Sequence, residues 1–522
     1  MENKKDIISL LYKAAKKHDA DILKHFNDEE LNDRNYFLYA INDDIMSNII
    51  NIILNLSLDN LESPGIDNSC RMIIEAITLL SMYNDNQISD LQLKIFRYSY
   101  ALVEIDNYRT ILKITKLKAP LDVEQDKETA LNLFAEQFGI TRDALDELLK
   151  HNDPSKKIYL SDPLAFLMKT PSTKIRLEKL IQRYHPYKDT FAKIYTFFSI
   201  FDHPRYEENI ELELIFQKAK RQYVFSVVSS VIEYFQLNKL FLADADEYTD
   251  DLQDLFEGEY KEHNKSALQA IELIFTSLID ELAIYENEGI DSQAVFYINK
   301  LRCIAKNMFV CMHRGHREQV IAAFRPFAEL SSVINKINTY DVKQYRILRK
   351  AFVFSSRLQL INFVDNMTNE STKIDNEGLK DLYEKYYKEK YGLNSYVQFE
   401  KEITNNSLYF LDKSKKSYKN LVMDNSNIIF NDKNTQEEFK TIYRVSVDMS
   451  HSSGYAFNAC PGVVDSIAYR AQIVFWKYIF QYAGLMAITR EEHGYSANID
   501  RIMKAITILI DGLYEDLNKL NQ

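Results

Sequence analysis

The stretch FKTIYRVSVDMSHSSGY, residues 439–455, holds one arginine, Arg444, and one histidine, His451, with six residues between them. Seven positions along an α-helix turn the chain by roughly 700°, about 20° short of two full turns, so the spacing predicts both side chains on one helical face. An imidazole titrates near neutrality and a guanidinium stays charged. Together they meet the minimum for metal-free chemistry at a phosphodiester. The imidazole moves the proton of a 2′-hydroxyl or of a leaving group, and the guanidinium braces the phosphate. The same two residue types also serve as a structural ion pair and a hydrogen-bonded core histidine, and spacing alone leaves both uses open.

An earlier segment, FAKIYTFFSIFDHPRY at 191–206, repeats part of this pattern. Phe191, Tyr195 and His203 match Phe439, Tyr443 and His451, each pair 248 residues apart. Other anchors recur in the same order: Arg71 and Glu75 with Arg325 and Glu329 (offset 254), Phe96, Arg97 and Arg109 with Tyr345, Arg346 and Arg357 (249 to 248), and Gly139 with Gly392 (253). In a chain with only 12 glycines the last match carries weight. A drift of about six residues over a whole copy predicts an internal duplication. The first copy then spans residues 1–243 and the second 265–522, joined by an acidic linker at 244–264. The copies differ where chemistry is concerned: Thr196 stands where the second has Arg444.

The segment IYRVSVDMSHSSGY resembles the signature of HEPN-type helical domains, whose active members carry Arg-x4–6-His. It is closer still to a bacterial branch with a Tyr-Arg-x-x-Ser…His-Pro/Ser pattern that follows an Arg-x-x-x-Glu helix. The matching positions are Arg325, Glu329, Tyr443, Arg444, Ser446, His451 and Ser452 in the second copy, and Arg71, Glu75, Tyr195, Ser199, His203 and Pro204 in the first. The resemblance implies two tandem all-α bundles that pair with each other, or with a second chain as a homodimer, around a shared cleft. It implies RNA cleavage without metal or other cofactor, as a toxin or anti-phage effector, with an antitoxin or defence-system partner. Arg444 would stabilise phosphate charge, His451 would act as general acid and base with His203 contributing from the other half, and Tyr443, Ser446 and Ser450 would orient them. Tyr195 and the pairs Arg71/Glu75 and Arg325/Glu329 would orient or bind substrate. The rival expectation is a helical scaffold that binds a protein, nucleotide or nucleic acid without chemistry.

The elements that must position these residues are helices. Few glycines and only 9 prolines among abundant Leu, Ile, Lys, Glu and Asn predict long helices with short loops, so the fold class is all-α. Apolar residues at three- and four-residue spacing predict helices over 36–56, 68–83, 88–116, 127–151, 173–200 and 208–238. Residues 61–69 read as a turn with Asp67 to Ser69 capping the next helix, and 403–435 as the longest irregular piece. The N-terminal residues read as an amphipathic helix rather than a secretory signal, and the most apolar run, 473–488, is interrupted by Lys477. With four unpatterned cysteines (Cys70, Cys303, Cys311, Cys460), these features predict a soluble cytoplasmic chain that does not span a membrane.

Net charge is −12, which argues against non-specific coating of nucleic acid. Nine acids against one lysine at 244–262 account for −8 of it, so basic sites remain open at 412–420 and 343–350. Cys303, Cys311, His313 and His316 match no compact zinc spacing, and aromatic runs such as YTFFSIF read as core. Nothing resembles a phosphate-cradling glycine loop, a Ser/His/Asp motif or a zinc-protease helix, which disfavours ATPase, protease and redox functions.

Overall fold

The computed structural model describes residues 32–58, 60–98, 123–151, 177–201, 203, 210–237, 262–283, 292–339, 342–368, 377–406, 408–411, 417–450, 461–490 and 497–520. Among the described residues every regular element is a helix, as the composition predicts. The first half contributes α1 (Asp33–Ser57), α2 (Pro64–Asn84), α3 (Asp90–Tyr98), α4 (Val123–Phe138), α5 (Arg142–His151), α6 (Leu177–Tyr184), α7 (Lys188–Phe201) and α8 (Ile210–Leu237). The second opens with α9 (Glu262–Ala283), α10 (Ser292–His313), α11 (Arg317–Asn338) and α12 (Val342–Thr368). Next, α13 (Glu377–Leu382) passes through a π-helical turn, Tyr383–Tyr387, into α14 (Lys388–Tyr391). The chain ends with α15 (Tyr396–Asn405), α16 (Tyr418–Ile429), α17 (Lys433–Asp448), α18 (Pro461–Arg490) and α19 (Ala497–Lys519).

Two helical hairpins, α1–α2 and α10–α11, pack on each other at the centre. Within them α2 and α11 are buried on almost every face, because each is ringed by neighbours. α2 is enclosed by α1, α6, α7, α8, α10 and α11, and α11 by α1, α2, α10, α12, α16, α17 and α18. One continuous apolar core joins residues from Tyr36 to Ile506. Phe191 and Phe439 both belong to it, and both are buried.

The seam between the hairpins is polar. Asn55 Nδ2 donates to Asn307 Oδ1 at 2.7 Å, Cys311 Sγ to Asn51 Oδ1 at 3.1 Å, and Asn60 Nδ2 to the Cys303 carbonyl at 3.0 Å. Burial, with Glu318 nearby, pushes the Cys311 thiol well above its ordinary pKa, which keeps it a neutral donor. Gly65 lies against the second hairpin at this seam, and a Cβ there would overlap the Asn307 amide.

Gly139 and Gly392 close α4 and α14 in the same way. Both have φ of +61°, the left-handed conformation that ends helices. In each the next N–H reaches back five residues, Ile140 to the Ala135 carbonyl at 3.0 Å and Leu393 to that of Lys388 at 3.1 Å. Gly139 thus divides the expected 127–151 helix into α4 and α5.

Other boundaries also differ from expectation. α2 begins at Pro64 with Ser63 as its N-cap, so Asp67 to Ser69 lie inside the helix rather than capping it. A proline at the first helical position needs no hydrogen-bonded N–H and supplies the right φ. The 173–200 segment breaks at 185–187, before Lys188 at φ of 34°. The largest correction is at 403–435, which contains α16. Ser417 caps that helix by accepting the Asn420 N–H, and Tyr418, Leu421, Val422, Asn425, Ser426 and Ile429 form its buried face. Residues 1–26, Cys460, most of the acidic linker and the end of the expected 88–116 helix lie outside the described residues. Among the described residues no helix is long and apolar enough to cross a membrane.

Candidate functional site

α17 carries Tyr443 on its buried face and Arg444 on its exposed one. It ends at Asp448 with Met449 as C-cap: the Met449 N–H donates to the Val445 carbonyl at 3.0 Å, and the Ser450 N–H, in a tighter turn, to that of Val447 at 3.3 Å. The unbroken helix assumed for Arg444 and His451 therefore stops three residues short of the histidine. His451 itself, with Ser452, Pro204 and Arg205, lies outside the described residues.

A different histidine forms the core of a site. His203 follows the end of α7, and its Nδ1 meets Glu329 Oε2 of α11 at 2.7 Å. Glu329 has 1% of its side chain exposed and His203 has 29%. The other carboxylate oxygen, Oε1, accepts from Arg325 Nε (3.2 Å) and from the Tyr443 hydroxyl (3.2 Å). Arg325 Nη1 donates to Ser450 Oγ at 3.0 Å, and that hydroxyl donates back to the Ser446 carbonyl at 2.8 Å. The helical i, i+4 spacing of Arg325 and Glu329 places guanidinium and carboxylate on one face of α11. α17, packed on α11, brings the tyrosine and serine.

These groups line a cavity of about 560 Å³. Buried Arg325, Glu329, Tyr418 and Tyr443 form its inner wall, and His203, Asn406, Val447 and exposed Glu402, Ser417 and Lys419 surround its mouth. The His203 ring lies parallel to that of Tyr418, with centroids 4.6 Å apart and planes inclined by 8°. Because Nδ1 faces a carboxylate, it is the protonated nitrogen of the neutral ring, and Nε2 is left as the basic one.

Of the residues expected from sequence, the structure thus gathers His203, Arg325, Glu329, Tyr443 and Ser450. Ser446 is not at the cavity: its hydroxyl donates within α17 to the Tyr443 carbonyl at 2.7 Å. Arg444 is exposed and does not line the cavity. Arg71, Glu75 and Tyr195 form a separate buried group in the first half. There the Tyr195 hydroxyl donates to Glu75 Oε1 at 3.0 Å, Arg71 Nη2 stands 4.0 Å from the same oxygen, and the Arg71 guanidinium lies 5.6 Å from the tyrosine ring centroid. Burial, followed by the neighbouring Glu75 charge, raises the Tyr195 pKa, which keeps its hydroxyl a donor. Glu402, Asn406, Ser417, Tyr418 and Lys419 were not anticipated as site residues. Their one signal was the basic run at 412–420, which holds Ser417, Tyr418 and Lys419.

Among the described residues no group of three or more His, Cys, Asp and Glu is placed to hold a metal ion, and Cys303 and Cys311 are buried free thiols. No family model, no curated protein and no solved structure matches the chain.

Proposed function

We propose that this chain is a metal-independent endoribonuclease of HEPN-like character, built from two duplicated helical halves, in which His203 is the acid/base group. One observation carries the reading: an imidazole at a cavity mouth whose Nδ1 is held by a buried carboxylate. Such a carboxylate fixes the tautomer and supports the charge that develops on protonation. His203 Nε2 would take the proton of a ribose 2′-hydroxyl, whose oxygen attacks phosphorus. The bond to the 5′-oxygen breaks, and that oxygen leaves with a proton donated by a second group, for which His451 is the candidate. Lys419 at the mouth would stabilise the phosphate charge. The products are a 2′,3′-cyclic phosphate and a 5′-hydroxyl. The dyad joins the two halves, which supports intramolecular pairing over a second chain. The setting we propose is cytoplasmic, as a toxin or anti-phage effector.

The duplication is supported by the matched Gly139 and Gly392 turns, by the two Arg-Glu-Tyr groups, and by the shared arrangement of hairpin and flanking helices. A second reading, a helical binding protein without chemistry, is favoured by one fact. The first-half Arg-Glu-Tyr group is wholly buried, so this constellation serves packing in at least one place.

The test is cleavage of a mixed-sequence single-stranded RNA by the purified full-length protein in a metal chelator. The expected result is fragments with cyclic-phosphate ends, slowed about 10²–10⁴-fold by His203→Gln. Arg444→Ala and His451→Ala are run beside it. If those two abolish cleavage while His203→Gln does not, the acid/base role moves to His451. RNA left intact, including by protein taken from phage-challenged cells, supports the binding reading.

A further inference from the structure

The His203 imidazole is constrained in two independent ways. Glu329 Oε2 holds Nδ1 at 2.7 Å. A single hydrogen bond leaves a ring free to swing about the bond axis. The parallel Tyr418 ring, 4.6 Å away, removes that freedom. With both contacts made, Nε2 has one direction. Three separate elements supply the parts: His203 follows α7, Glu329 lies in the middle of α11, and Tyr418 opens α16 beside its Ser417 cap. Tyr418 is 7% exposed, so its ring is itself held by packing. The other charged and titratable groups around the same cavity are Arg325, Glu402, Lys419 and Tyr443.

We infer that Tyr418 is a positioning residue whose ring face fixes the plane of the His203 imidazole and so aims Nε2 at the reacting group. This rests on the acid/base assignment of His203. The working part is the ring face and not the hydroxyl, because the contact is a parallel stack. A misdirected catalytic group loses rate with little loss of substrate binding.

The experiment uses the full-length protein with isotope-labelled histidine rings, the His203 resonances being assigned by their loss in His203→Gln. In the wild type the His203 Cε1–H resonance is displaced upfield by the Tyr418 ring current. Tyr418→Phe keeps the displacement, and Tyr418→Leu loses it. Tyr418→Met, unbranched and closer in shape, is the second variant should leucine unfold the chain, with folding followed by circular dichroism. In RNA cleavage, the leucine and methionine variants are expected to lower kcat about tenfold with KM within about twofold, and phenylalanine to restore most of the loss. The inference is overturned if the wild type shows no upfield displacement, if leucine and methionine leave kcat unchanged, or if phenylalanine falls as far as leucine. RNA left intact by the wild type with the displacement present instead removes the acid/base assignment, and the positioning role with it.

Discussion

A carboxylate with 1% of its side chain exposed is costly to bury, and Glu329 meets that cost with bonds from Arg325, Tyr443 and His203. Removing it strands the Arg325 guanidinium in the interior. Glu329→Ala is therefore expected to destabilise the protein by about 3–5 kcal/mol in urea unfolding. Glu75→Ala is expected to be destabilising by the same mechanism, since Arg71 is equally buried. Only the Glu329 change alters His203. A second buried titratable group sets an acid limit. His185 is fully buried, its ring stacked on Phe191 and its Nδ1 accepting the Tyr187 N–H at 3.1 Å, and burial lowers its pKa to about 3. The unfolded chain takes up a proton near pH 6.5 and the folded one does not, so stability is complete above that pH and falls as pH drops toward 3. At pH 5.5 the loss from this group is roughly 1.4 kcal/mol. His185→Asn, which keeps an acceptor but does not titrate, should remove that increment when denaturant midpoints are compared between pH 7.5 and 5.5.

At the scale of the element, Gly392 offers a clean measurement. No atom lies within 4 Å of a Cβ placed there, so Gly392→Ala tests the left-handed backbone alone. A cost of about 1–2 kcal/mol is expected from the urea midpoint, and Gly139→Ala should match it for the same reason. The two glycines were legible as a matched pair because glycine is scarce, but the turn at Gly139 was not, since the apolar spacing on either side of it continues as one helical pattern over 127–151. The helical class and the central Arg71/Glu75 and Arg325/Glu329 helices were legible, since periodic burial leaves a periodic sequence. α16 was not, because Asn420, Asp424 and Asn427 on its outer side are weak helix formers, and its stability comes from burying Tyr418, Leu421, Val422 and Ile429. With α16 unread, the cavity wall that it brings was unread too. The end of α17 at Asp448 was likewise hidden, because a polar Ser-His-Ser-Ser sequence carries no glycine or proline stop close to that point. His203 was named as a contributor, but its partner Glu329, 126 residues away, could be found only in three dimensions.

For the helices that share the continuous core, one cooperative unfolding transition is expected, with fluorescence and circular dichroism midpoints coinciding; α4 and α5 have a small core of their own around Leu131, Phe134 and Leu145. The halves, expressed separately as residues 1–243 and 262–522, would each expose the inner hairpin face that the other covers. Each is expected to aggregate alone and to elute as a folded 1:1 complex when the two are coexpressed, as size-exclusion chromatography would report. The polar seam also acts as a counting device. Apolar surfaces tolerate sliding, but the Asn55–Asn307, Cys311–Asn51 and Asn60–Cys303 hydrogen bonds each join one height on one hairpin to one height on the other. Displacing one hairpin along the other by a helical turn, about 5.4 Å, would set each amide against hydrocarbon. Insertions and deletions of single residues should therefore be rejected within α1 and α10. The short loop between α1 and α2 is held to the same frame, because Asn60 within it is one of the seam donors.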